Sequence, residues 1–143
     1  MKKYHIVKFL VFIIVSVVLL SACKKDDNPV ASNGDELVGV WVLSKVIVPA
    51  YNNAELTPEY LGTSVKFDIR SDRSFTATVT DTSGTDIQTG TWSASNGTVS
   101  LKGNDGTSQD MPYSVSGNTL TVETVYTIDP FGEVNAKMLF TKQ

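Results

Sequence analysis

From residue 64 onward, apolar and polar residues alternate in short runs split by turn-forming clusters. That pattern leaves little room for anything but antiparallel sheet. Val65, Phe67 and Ile69 share one face, and Lys66, Asp68 and Arg70 the other. Phe75, Ala77 and Val79 oppose Thr76, Thr78 and Thr80 in the same way, and Val99 and Leu101 oppose Thr98, Ser100 and Lys102. One apolar and one polar face per strand describes a sheet with one side in water. Residues 37–48, 64–70, 75–80, 87–94, 98–102, 111–116, 119–128 and 136–141 read as eight strands, and no stretch carries a convincing helical period. Ser71-Asp72-Arg73-Ser74, Ser95-Asn96-Gly97 and Ser116-Gly117-Asn118 are hairpin turns, built from residues that accept left-handed or turn dihedrals. Sequential hairpins predict an all-β, eight-stranded, antiparallel up-and-down barrel, because closure removes exposed edges. The one long connection, residues 49–62, is expected to lie over a mouth of that barrel.

The N-terminus is of a different kind. Lys2, Lys3 and Lys8 precede an apolar run over residues 9–20, followed by Leu20-Ser21-Ala22-Cys23. A run of 12 residues, apolar apart from Ser16, is too short for a helix that needs about 20 to cross a bilayer, and the three-part layout is that of a secretory signal. Leucine, two small residues and then the chain's one cysteine resemble the signal of bacterial lipoproteins. The resemblance implies removal of residues 1–22, acyl chains on Cys23, and membrane attachment through them. The expected location is outside the cytoplasm, lipid-anchored, at the outer membrane or cell surface. Each buried CH₂ contributes about 0.8 kcal/mol, so two or more chains hold firmly. Residues 23–35 are Lys-, Asp-, Asn-, Ser- and Pro-rich and read as a flexible linker. Lys24-Lys25-Asp26-Asp27 is either a surface-export tag or simply solvated chain. Residues 36–143 remain as one domain.

Within that domain, Gly39-Val40-Trp41 stands near the start of the first strand and Gly90-Thr91-Trp92 in the fourth, followed by Tyr113-Ser114-Val115-Ser116-Gly117-Asn118-Thr119-Leu120. In order and spacing these resemble the short lipocalin-like domains of bacterial lipoproteins. The resemblance implies that Gly39 and Trp41 close one end of the barrel, and that a small hydrophobic or amphipathic ligand occupies the other. Lipocalins also stack a late arginine on the motif tryptophan. Here the last arginine is Arg73, which leaves Lys137 or Lys142 for that role.

Loss of the leader removes three of 12 basic residues and none of 15 acidic ones, for a net charge of −6. That argues against nucleic acid as a partner. His5 leaves as well, so the mature chain has no histidine, and its one cysteine is the acylated one. Zinc and copper lose their usual ligands, and the serines have no base to activate them. Asn104, Asp105 and Asp110 lie close together, as the clustered oxygens of a calcium site would, but Gly103-Asn104-Asp105-Gly106 reads first as a turn, and Glu123 as a solvated outer carboxylate. The expectation is no enzyme, no cofactor and no metal. Candidate cavity residues are Phe67, Phe75, Trp92, Tyr113 and Tyr126; the two tyrosines each bring a hydroxyl that wants a partner when buried. The alternative is a filled barrel that contacts a protein or glycan through its loops, with Tyr51 and Tyr60 exposed.

Overall fold

The computed structural model describes residues 33–128 and 132–143. Cys23, the leader and residues 24–32 lie outside the described residues. Nine strands follow in order: β1 (Gly39–Val48), β2 (Ala54–Leu56), β3 (Thr63–Ile69), β4 (Ser74–Asp81), β5 (Gly84–Ser95), β6 (Thr98–Gly103), β7 (Ser108–Ser116), β8 (Thr119–Ile128) and β9 (Gly132–Lys142). All pairings are antiparallel, and β1 pairs with β9 as well as β3. Eight strands therefore close into an up-and-down barrel, with β2 as an addition.

β2 corrects the expectation for residues 49–62. Gly39 to Val42 of β1 pair with β3, whereas Val46 to Val48 pair with β2 on the same edge. The segment thus fills the wall where β1 and β3 diverge, with Leu56 and Leu61 packed against the core. Helix α1 (Pro58–Leu61) completes the patch. The Thr57 hydroxyl caps it by accepting from the Tyr60 N–H, and Gly62 ends it in the left-handed region.

A bulge in β1 explains why its sequence does not alternate cleanly. Trp41 and Leu43 face inward, then Val46 and Val48 do. The register against β9 slips between Leu43 and Lys45. The extra residue, Ser44, shifts the parity by one, so valines rather than Lys45 reach the core.

Pro112 shapes the opposite wall. The Tyr113 N–H donates to the Gly97 carbonyl on the β6 side, so the N–H one residue earlier would point toward β8. Proline has none. The β7–β8 ladder accordingly stops at Tyr113↔Val122, and the strands separate beyond it.

The core is the barrel interior. Trp41, Phe75, Phe140, Leu37 and Leu120 are its largest fully buried side chains. Phe67 meets Phe140 edge to face at 5.3 Å. Val79, expected inside, is 36% exposed, because it sits high on the β4–β5 hairpin where the barrel opens. The fold also begins before residue 36: a 3-10 turn, Asp35–Leu37, packs across one end, and Gly34 is buried beside Trp92 and Ala94.

Candidate ligand site

The two ends of the barrel differ in chemistry. At the closed end the Trp41 indole N–H donates to the Leu37 carbonyl at 2.7 Å, and the Lys142 ammonium lies 5.1 Å from its ring centroid. Lys142, one of the two lysines considered, thus stands over the motif tryptophan. Gly39 makes this possible: its φ is +145°, and a Cβ there would overlap the Lys142 side chain. Trp92 repeats the arrangement. Its N–H donates to the Arg70 carbonyl at 2.9 Å, and the Arg73 guanidinium lies 4.4 Å from its ring centroid. Arg73 also donates to the Asn33 carbonyl at 2.9 Å, fastening the incoming chain. Tyr113, a sequence candidate for the cavity, is placed at this closed end too, where its hydroxyl meets the Glu36 carboxylate at 2.8 Å.

The open end holds the site. A cavity of about 310 Å³ lies inside it, lined by Phe75, Gln88, Leu101, Gly103, Thr107, Ser108 and Gln109. A glycine pair lies beside it. Gly90 and Gly103 are directly opposite each other on β5 and β6 and are both buried. The β5 and β6 backbones approach closely at this pair, and polar side chains fill the place of a Gly103 Cβ. A Cβ at Gly103 would overlap Asp105 Oδ1 and crowd Thr107 Oγ1 at 2.5 Å and Gln88 Nε2 at 2.9 Å.

Those polar groups form a directed chain. The Gln88 amide NH₂ donates to Thr107 Oγ1 at 2.7 Å, and the Thr107 hydroxyl donates to Asp105 at 2.6 Å. A carboxylate only accepts, so the threonine proton goes to Asp105 and its oxygen receives the amide.

Of the five sequence-nominated cavity residues, Phe75 lines the cavity. Phe67 and Trp92 belong to the packed interior. Tyr126 is half-buried on the inner face of β8, at the rim. Burial, and then the Asp81 charge on β4 across the mouth, push its phenol pKa up. It remains a neutral donor at physiological pH. Gln88, Thr107 and Gln109 were missed by sequence reading. For Gln88 a signal existed, since it shares strand parity with Gly90 and Trp92.

A larger depression, about 490 Å³, lies on the flank opened by Pro112, between Asp110, Glu123, Val125 and Lys137. Glu123 is already paired there with Lys137 at 3.2 Å, and most of the depression's lining residues are exposed.

Three turns share an Asp-x-Ser/Thr pattern: Asp72 with Ser74, Asp81 with Ser83, Asp105 with Thr107. Each carboxylate accepts from the hydroxyl and from the backbone N–H two residues on. The hydroxyl bond first, and the backbone bond second, hold all three pKa values below the ordinary aspartate range. A depressed folded-state pKa contributes stability above the unfolded pKa, and that contribution is lost as pH falls through the folded value. The melting temperature is therefore expected to decline on acidification below about pH 4, the ordinary aspartate range. In D72N/D81N/D105N, which keeps the turn geometry, that decline should be shallower. Equal acid slopes for the two proteins in a calorimetric pH series would show that the turns do not carry it.

Residues 37–122 match a family described as Lipocalin-like domain. Among solved structures, an uncharacterized protein from Bacteroides eggerthii DSM 20697 is similar, at 12% identity and a TM-score of 0.49. The match covers 74% of this chain and 98% of that one. No curated protein matches the sequence.

Proposed function

The chain belongs to the lipocalin-like domain family, and on that premise we propose that it is a non-catalytic, lipid-anchored protein that binds one small amphipathic molecule in the open end of its barrel. The observation that carries this reading is the cavity of about 310 Å³, with Phe75 and Leu101 on one side and convergent amides and hydroxyls on the other. An apolar wall with a few placed polar groups is the usual composition of a ligand site, and this volume falls at the low end of the range of about 300–1,000 Å³. The occupant is accordingly small.

The anchor is part of the same proposal. Its support is Leu20-Ser21-Ala22-Cys23 after the apolar run. Asn33, the first described residue, is held at the closed end by Arg73. Outer-membrane or cell-surface placement follows the lipoprotein resemblance.

A second reading draws on Tyr60 and Tyr51, which are 74% and 44% exposed in the segment beside the mouth. Exposed aromatics suit a protein or glycan partner.

Native mass spectrometry decides between them. The probe is a bacterial lipid extract, offered to the mature chain carrying Cys23→Ser. The expected result is a retained adduct of one defined mass, lost in Leu101→Trp, which fills the cavity. A bare domain under the same conditions would overturn the cavity reading and move the search to the tyrosine surface.

A further inference from the structure

The cavity has a polarity that its size alone does not reveal. Gln88 donates from its NH₂ to Thr107 Oγ1 at 2.7 Å. Gln109 behaves the same way. Its NH₂ donates to Thr124 Oγ1 at 3.2 Å, and the Thr124 hydroxyl in turn donates to the Val125 carbonyl at 3.4 Å. Each amide lining the cavity therefore has one N–H engaged. What each keeps is a second N–H and a carbonyl oxygen, an acceptor with two lone pairs. Among the described residues neither oxygen has a hydrogen-bond partner.

The charge around these acceptors has one sign. Inner-face positions on the β4–β5 hairpin climb from Phe75 opposite Gly90, to Ala77 opposite Gln88, to Val79 opposite Asp86, with Asp81 above. Asp105 lies against Gly103. The lysines nearest in height are on outward registers: Lys66 alternates with Val65 and Phe67, Lys102 with Leu101 and Gly103, and Lys137 with Ala136 and Met138. Lys142 and Arg73 are at the far end, on the two tryptophans. Carboxylates above a pocket that offers these acceptors, with no cation facing it among the described residues, favour a ligand that brings donors and positive charge, and disfavour one that brings a carboxylate.

We propose that the cavity selects a small cationic amphiphile. Its ammonium or comparable donor-rich head meets the carbonyl oxygens of Gln88 and Gln109 beneath Asp86 and Asp81, and its apolar part lies against Phe75 and Leu101. The proposal rests on the cavity being a ligand site and adds the class of ligand.

Three probes of equal chain length test it: hexylammonium, hexanol and hexanoate, titrated by calorimetry into the mature Cys23→Ser chain. The expected order is hexylammonium, then hexanol, then hexanoate, with the first at least about tenfold tighter than the last. That ratio should shrink as salt rises, since exposed charges are screened beyond about 10 Å at 0.1 M. It should also fall severalfold in Asp86→Asn, and hexylammonium binding should be lost in Leu101→Trp. Hexanoate binding as tightly as hexylammonium would overturn the charge selectivity and leave the cavity reading intact. Hexylammonium binding that survives Leu101→Trp would be surface association, and would overturn the proposal. Failure of all three probes, with an extract adduct still seen by mass spectrometry, would overturn the ligand class alone. Failure of both would remove the site itself.

Discussion

Trp41→Ala is expected to cost about 3–5 kcal/mol of folding stability, the range for emptying a fully buried large aromatic. Trp41 is 0% exposed. Its ring packs inside the closed end, its N–H satisfies the Leu37 carbonyl, and Lys142 covers its face. Against a total of about 5–15 kcal/mol for a domain of this kind, the loss leaves a marginal fold. Urea unfolding followed by circular dichroism gives the number. Two companions divide it. Trp41→Phe keeps most of the ring but leaves the Leu37 carbonyl unpaired, and should cost about 1–3 kcal/mol. Lys142→Met removes only the charge over the ring, and should cost about 0.5–1 kcal/mol. A Trp41→Ala variant within 1 kcal/mol of wild type would mean that the end is closed by something other than this residue.

The second large effect is expected at Gly90. A Cβ there would overlap the Lys102 carbonyl, with Gly103 Cα 2.9 Å away. Those are backbone atoms of the adjoining strand, which can yield only if β5 and β6 move apart. Gly90→Ala should therefore cost about 3 kcal/mol, the upper part of the overpacking range. Gly103→Ala meets side-chain ends instead, namely Asp105, Thr107 and Gln88. These can swing aside, so the expected cost is nearer 1 kcal/mol. Its larger effect should be on binding, because the displaced groups line the cavity. Denaturation of the pair separates the two cases. Equal costs would show that close backbone approach is not what requires glycine at 90.

Much of the barrel was legible because strand parity is a local property. Phe75 and Ala77, or Val99 and Leu101, announce an inner face two residues at a time, and Asp, Asn, Gly and Ser mark where the chain reverses. Where alternation broke, the reading weakened. In β1 the bulge at Ser44 shifts the phase, so Val46 and Val48 are core although Trp41 and Leu43 imply otherwise. β2 was hidden for another reason. Three residues, Ala54 to Leu56, are too few to show a period, and they form a strand only because β1 has an edge left unpaired at Val46 to Val48.

The candidate site was far less legible than the barrel. Tyr113 looked like a cavity residue by type and parity, yet its height along β7 puts it beside Glu36 at the closed end. Gln88, Gln109 and Thr107 come together from β5, β7 and the turn between β6 and β7, beside a glycine pair on adjacent strands. Sequence alone determined the alternating faces, the turns, the net acidic charge and the N-terminal Cys23 pattern, since each depends on neighbours within a few residues. Which inward side chains share a height, which end of the barrel is filled, and which way each glutamine directs its amide were decided only by strand register. Register is set by contacts between residues far apart in the chain, and no local pattern encodes them.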